Sequence, residues 1–335
     1  MNMAKWVADT IASPAKKGFP VLSFPAIQKM DVAVKDLIGS ADLQAEAMRL
    51  VAESTPSAAS VSFMDLSVEA ESFGSRTVFR DDGAPTVVGS VVGTDADMDA
   101  LAVPEATDGR CGLYVDAVRK AVPLIGDRPV FAGTIGPFSL AALLCGVNEI
   151  MLLCYDEPEF VESLLEKVSA FLVEYARAFK EAGADGVVMA EPLAGLLSPD
   201  LAAQFSGPYV KAIVEAVQDE GFGVVYHNCG PGVIKQIDSI VSNGAMGYHF
   251  GNAIDMADVL PLMPSDRLVM GNVDPAAEFR HGTPESVRAK TLEVLESCAS
   301  YPNFVPSSGC DIPPMSPWEN IDAFFDAVDE FYGKN

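Results

Sequence analysis

The sequence is short of positive charge: 22 Lys and Arg face 47 Asp and Glu, for a formal net charge of −25 over 335 residues. With no basic stripe there are no counterions to release from a phosphate backbone, which excludes nucleic-acid binding. So acidic a surface also repels anionic membranes. Long hydrophobic runs are missing too. The most apolar stretch, residues 139–154, is broken by Asn148 and Glu149 and is shorter than the ~20 residues a bilayer span needs. The opening "MNMAKWVADTIASPAKKGFP" lacks the apolar core and small-residue cleavage site of a signal peptide. Cysteine is sparse and scattered, six in all, so no disulfide framework is expected, and thiols in such a chain are structural, metal-bound or catalytic. Histidine is rarer, at three. The expectation is a cytoplasmic protein. Its 49% hydrophobic content supplies a sizeable core. No low-complexity tract or linker divides the chain, which reads as one domain over residues 1–335.

What is present is an alternation. Short apolar or β-branched runs at 19–24, 60–65, 129–133, 186–190, 223–227, 246–250, 267–271 and 303–306 are separated by helix-like segments, among them 41–53, 159–182, 208–220, 232–243 and 284–299. This pattern predicts an α/β fold, a (β/α)8 TIM barrel, with a doubly wound open sheet as the alternative. Residues 70–125 fit the alternation least well and are expected to form an elaborated region over one face.

In such a barrel the chemistry sits at the C-terminal ends of the strands. Those ends carry Asp65, Glu191, His227 with Cys229, His249, and Asn272 with Asp274, and the last run, "NFVPSSGC", ends at Cys310. In "VVYHNCG", His227 and Cys229 are two residues apart on an extended segment, so both side chains point to one side. Asn228 between them faces the other way. Two further βα units bring the chain round to Cys310. One imidazole and two thiolates form a three-ligand catalytic zinc set with an open fourth position. Read alone, the H-x-C pair fits buried strand residues better than a metal site, and it is Cys310 on a loop, between "PSSG" and "DIPP", that moves the balance toward metal. Cys145, Cys154 and Cys298 lie in apolar helical runs and are read as core thiols; Cys111 falls in the irregular region. His249 is a site residue or a satisfied structural one. His281 is placed on a surface turn before a helix.

These residues carry a resemblance. With "FMDLSVEAESFG" (63–74), "GTIGPFSLAALLCG" (133–146), "MAEPLAGLLSP" (189–199), "HNCG" (227–230), "GNVDP" (271–275) and "SSGCDIPPMSPWENIDAFFDAV" (307–328), the chain resembles the uroporphyrinogen decarboxylase superfamily. Within it, the similarity is to corrinoid-dependent methyltransferases of the methylcobamide:coenzyme M type, over about residues 21–331. The decarboxylase branch carries an arginine-rich segment near the first strand, where this sequence reads "LSFPAIQKM" with no arginine before Arg49. A tetrapyrrole with many carboxylates needs such positive charge. That branch also tends to have histidine where Cys310 stands, although Asp65 falls where it keeps a catalytic aspartate.

The resemblance implies that His227, Cys229 and Cys310 hold zinc, which activates a thiol such as coenzyme M. The methyl donor would be a methylcobalamin-type corrinoid, free or on a corrinoid protein. Glu191 ends its strand in "MAEPLAG" and is read as the best carboxylate for a reversible fourth ligand or proton acceptor, the alternative being a rim carboxylate bonded to backbone. Asp65 is expected to orient the zinc-bound group or contact the corrinoid, or else to cap the next helix. Asn272 and Asp274 shape a turn or line the pocket; Phe138, Met64 and Met189 form wall or core. Other readings are the opposite half-reaction, demethylating a methoxylated or methylated substrate onto a corrinoid protein, a barrel that only binds a corrinoid, and decarboxylation.

Overall fold

The computed structural model describes residues 1–333. Seven parallel strands form a curled sheet in the order β1, β4, β5, β6, β7, β8, β9, where β1 is Ser60–Val61, β4 Val130–Ile135, β5 Gly186–Ala190, β6 Gly223–Asn228, β7 Gly247–Phe250, β8 Leu268–Val273 and β9 Phe304–Ser308. The remaining strands, β2 (Arg76–Val78) and β3 (Thr86–Val88), make a separate antiparallel hairpin. Helices connect successive parallel strands, the longest being Pro158–Glu181. Its buried Phe160, Val161, Leu164, Leu165, Val168, Phe171, Leu172 and Tyr175 repeat at three- and four-residue spacing and cover the sheet.

Residues 19–24, expected as the first strand, form no strand. The reason lies in two prolines. Pro20 has no amide hydrogen, and Pro306 occupies the facing position on β9, so a regular ladder cannot run between them. The segment nevertheless fills the eighth stave. Phe19 N donates to Pro306 O at 2.9 Å, Val21 N to Ser308 Oγ at 3.0 Å, and Ala58 N reaches Gly18 O at 2.8 Å on the other flank. The barrel is therefore closed by a few specific bonds where the other staves have ladders.

The interior is filled by Val61, Phe131, Val188, Ala190, Val225, Met270 and Val305, with Phe19 and Val21 from the irregular stave. At its floor Trp6, Phe19 and Phe131 pack as a trio, the Phe19 and Phe131 ring centres 5.5 Å apart. Trp6 comes from the helix Met3–Ala12, which turns Met3 and Val7 inward beneath the strands. Gly186 makes room for this packing: a Cβ there would lie 2.6 Å from the Phe131 ring and 2.3 Å from Gly223 O.

Between β1 and β4 the chain makes the expected excursion. The helix Val68–Ser72, the β2–β3 hairpin, and the helices Asp95–Ala100 and Gly109–Ala121 follow one another there. Cys145, Cys154 and Cys298 are buried as read, and burial pushes their thiols up to about 11, 11 and 12. Cys111 is buried as well, its thiol pushed far higher by burial. His281 is exposed just before the helix Pro284–Cys298. Among the described residues, no single helix is long and apolar enough to cross a membrane; the pair Pro137–Cys145 and Val147–Asp156 meets the length and composition only together, and it is bent by 104°.

Truncating Phe131 removes the centre of the floor trio. Phe131→Ala is expected to cost about 3–5 kcal/mol, read as a lowered urea midpoint at unchanged slope; a loss below 1 kcal/mol would show that the floor can collapse around the void.

Candidate metal centre at the barrel mouth

Parallel pairing aligns Ala190 with His227, His227 with His249, and His249 with Met270. Ala190 and Met270 face the barrel interior, so both histidines between them face inward at the same level. Cys229, two residues beyond His227, is carried in the same direction. Gly251 makes space for it: a Cβ at position 251 would lie 2.5 Å from Cys229 Cα and Cβ. Cys310 arrives on the loop after β9. The ligand atoms of His227, Cys229 and Cys310 all lie within 4.8 Å of one another. Among the described residues this is the one group of His, Cys, Asp or Glu so arranged.

His227 Nε2 sits 3.5 Å from Cys310 Sγ. Its other nitrogen, Nδ1, is 2.7 Å from His249 Nδ1 and 3.2 Å from His249 O. His249 Nε2 is in turn 2.7 Å from Ser307 Oγ, which donates to Phe19 O at 2.7 Å. His249 is enclosed, at 2% exposure, and burial with His227 beside it holds its ring well below the usual imidazole range. The two thiols share a proton unequally. A hydrogen bond from Cys310 draws Cys229 down to about 4, and His227 adds to the effect against the cost of burial. The same bond, with burial, holds Cys310 well above the ordinary thiol range. The pairing thus favours the thiolate form at Cys229 and the thiol form at Cys310, whose proton a bound cation would displace. An imidazole nitrogen and two sulfurs at this spacing, with both cysteines half-buried and the histidine buried, fit a zinc ion reached from the cysteine side.

The two carboxylates named from the sequence are not in this cluster. Because Ala190 faces inward, the next residue of the extended chain, Glu191, faces outward toward the helices. Its Oε1 accepts from Ser139 N at 3.3 Å, at the start of the helix Pro137–Cys145, and Ser206 Oγ donates to Oε2 at 3.4 Å. Fully buried there, its carboxyl is pushed up to about 8 by desolvation. The alternative reading of Glu191, a carboxylate bonded to backbone, describes this position better than that of a metal ligand. Asp65 is 4% exposed and saturated with partners. Arg110 Nη1 meets its Oδ2 at 2.5 Å, Tyr114 Oη donates to the same oxygen at 2.8 Å, and Ser67 N and Oγ donate to Oδ1 at 3.1 and 2.6 Å. Arg110 also binds Glu71 Oε2.

Asn272 donates to the carbonyls of Gly251 and Ile254 at 3.0 and 2.7 Å, fixing the loop that makes room for Cys229. Asp274 accepts from Ala276 N and Ala277 N at 2.8 Å and from Asn252 at 2.7 Å. Both shape turns. Met64 joins the interior packing, while Phe138 and Met189 belong to the layer between strands and helices. Asn228 points away from the cluster, toward Tyr226 Oη and Gly230 N.

Sequence reasoning missed Ser307 altogether, and it missed Arg110 and Tyr114 as the partners of Asp65. Ser307 was within reach, three residues before Cys310 in the last motif. Nothing in sequence spacing ties Asp65 to a helix some 45 residues later. A buried carboxyl with no charge partner, Glu69, also went unread: Thr134 Oγ1 and Ile135 N donate to its Oε1 at 3.0 and 2.9 Å, and burial pushes it up to about 7.

The fold and the soft-ligand cluster at its mouth define a (β/α)8-barrel protein with a candidate zinc-type centre. The sequence model of uroporphyrinogen decarboxylase (URO-D) matches residues 21–331, and the chain belongs to that family. It is 31% identical over 261 residues to the methylcobamide:CoM methyltransferase MtbA of Methanosarcina acetivorans, covering 77% of this chain and 75% of that protein. A uroporphyrinogen decarboxylase of Coxiella burnetii is 27% identical over 266 residues, covering 75% and 72%. A solved methyltransferase structure from Methanosarcina mazei has the same fold, with TM-score 0.86 at 24% identity over 99% of this chain and 98% of that one.

Two results test these assignments. Arg110→Met should leave Asp65 buried without its cation and cost about 3–5 kcal/mol in a urea titration; a cost near zero would mean that Tyr114 and Ser67 suffice. For Glu191, the folded carboxyl titrates near 8 against 4.5 in the unfolded chain. Over that window the unfolded state releases its proton first, so the contribution to stability declines as pH rises. Glu191→Gln should flatten the decline, with the part owed to Glu69 persisting to about 7. Identical pH–stability curves for the two proteins would remove the raised carboxyl.

Proposed function

We propose that the chain is a zinc-dependent methyltransferase of the cytoplasm that moves a methyl group between a methyl-corrinoid, presented by a corrinoid protein, and a thiol of the coenzyme M kind. The single observation that carries the reading is the convergence of His227 Nε2, Cys229 Sγ and Cys310 Sγ within 4.8 Å at the barrel mouth. The similarity to methylcobamide:CoM methyltransferase MtbA supports the corrinoid and the thiol.

Zinc held by this set would supply Lewis acidity, lowering the pKa of a substrate thiol so that its proton is lost to water while charge stays on sulfur for attack on a methyl group. Cys229 and Cys310 contribute two negative charges and His227 none, so a divalent ion is balanced before substrate arrives and a substrate thiolate makes the centre anionic. Both cysteines keep some solvent exposure while His227 is buried, which leaves the sulfur side of the centre to the incoming substrate. The backbone around Cys229 is held by Gly251 N, which donates to Asn228 O at 3.2 Å, and by the Asn272 amide on the same loop. Ligand positions fixed in this way serve a reaction whose main demand is alignment of sulfur with a bulky donor.

Decarboxylation of a polyanionic tetrapyrrole finds no support at this mouth. The stave that carries the decarboxylase arginines has none before Arg49, and Arg110 is committed to Asp65 and Glu71.

Purified protein mixed with methylcob(III)alamin and a panel of thiols tests the reading through the visible spectrum of the methyl-cobalt species. The expected outcome is about one zinc per chain, thiol-dependent demethylation, and loss of both in Cys229→Ala and Cys310→Ala. Full activity in those variants would sink the reading, and demethylation of a methoxylated donor in place of methylation of a thiol would reverse its direction.

A further inference from the structure

The three histidines of the chain include two that touch, His227 and His249, and only one of them is counted in the ligand set. The hydrogen bonds around the second determine where its proton lies. Phe19 O is a carbonyl and can only accept, so the single hydroxyl hydrogen of Ser307 is committed to it at 2.7 Å. Ser307 Oγ must then accept from His249 Nε2, also at 2.7 Å. At the junction of the two rings His249 O lies 3.2 Å from His227 Nδ1 and, being a carbonyl, can only accept, so the hydrogen there belongs to His227 Nδ1. The 2.7 Å contact between the two Nδ1 atoms needs one hydrogen between them, and His227 supplies it. His249 Nδ1 is left bare. With its proton on Nδ1, His227 exposes the Nε2 lone pair toward Cys310 Sγ, 3.5 Å off.

We propose that His249 and Ser307 are positioning residues that lock His227 in the Nδ1–H tautomer and so present its Nε2 to the metal before any metal binds. The relay runs from the carbonyl of Phe19 through Ser307 and His249 to His227. This rests on the zinc reading only for what Nε2 is used for; the proton placement follows from the bonds alone. An ordinary second partner for a metal-bound histidine is a carboxylate or carbonyl. Here the carbonyl of His249 is joined by that residue's own imidazole, which must itself be held in one tautomer to be an acceptor. The serine does that, and it is anchored to the stave that closes the barrel.

The test uses the full chain labelled with 15N-histidine and freed of metal. With so few histidines, long-range proton–nitrogen spectra separate the rings. His227 is expected with a protonated Nδ1 and bare Nε2, and His249 with the reverse. His227 protonated on Nε2 would overturn the relay. Ser307→Ala, which keeps both rings, should let His249 sample both tautomers and weaken zinc binding by about 10- to 100-fold in chelator competition. Ser307→Thr, which restores the hydroxyl, should recover the loss. Circular dichroism of each variant guards against unfolding. Wild-type zinc affinity and an unchanged His227 spectrum in Ser307→Ala would likewise overturn the proposal. If the unsubstituted chain binds no zinc yet shows the expected tautomers, the relay stands and the zinc reading fails.

Discussion

The register of the parallel ladders from β5 to β8 is the constraint on which the centre depends. Each ladder aligns residues at one level, and the two-residue period of a strand then decides which of them face inward. Because Ala190, His227, His249 and Met270 are aligned, two imidazoles are forced side by side inside a barrel whose neighbouring wall is largely apolar, Ser307 being the polar group that meets them. A slip of one residue would exchange the roles of neighbours, sending His227 out among the helices and bringing Asn228 in. The same parity carries Cys229 to the mouth and takes Glu191 away from it. One geometric rule thus brings the three donors together and turns Glu191 away from them.

The chain treats its buried acids in two ways. Asp65 keeps an ion pair with Arg110, reinforced by Tyr114 and Ser67. Glu69 and Glu191 have no cation and are instead enclosed with backbone and hydroxyl donors, where desolvation favours their neutral forms. In a protein of such negative charge, cations are scarce, and one of them is spent inside. That choice leaves the mouth without concentrated positive charge, at odds with a polycarboxylate substrate.

Much of this was legible in the sequence. The alternation of apolar runs and helical segments marked all eight staves, and seven of them are strands, because those runs are buried on both faces and carry few polar interruptions. The run at 19–24 was expected as a strand and is not one, since Pro20 and Pro306 reduce its pairing to a few individual hydrogen bonds. The β2–β3 hairpin was unread because its residues are largely exposed and its pattern has no apolar face. For the candidate centre, the approach of Cys310 to His227 and Cys229 followed from barrel topology. The orientation of Glu191 did not, because the end of β5 could have been taken with either parity. His249 was visible as a candidate; its partner Ser307 was not, since a hydroxyl three residues from a cysteine has no signature of its own.

The irregular stave gives the molecule an order of assembly. Phe19 meets β9 only across some 290 residues of chain, and closing so long a loop carries an entropy cost that strands adjacent in sequence do not face. Five of the neighbouring stave pairs, from β4–β5 through β8–β9, need only one intervening βα connection each. The ring is therefore joined where the two ends of the barrel sequence meet, next to the segment that delivers Cys310. His227, Cys229 and His249 all precede β9 in the chain and Cys310 follows it, so the His–Cys–Cys cluster is complete only once the last stave has joined the ring.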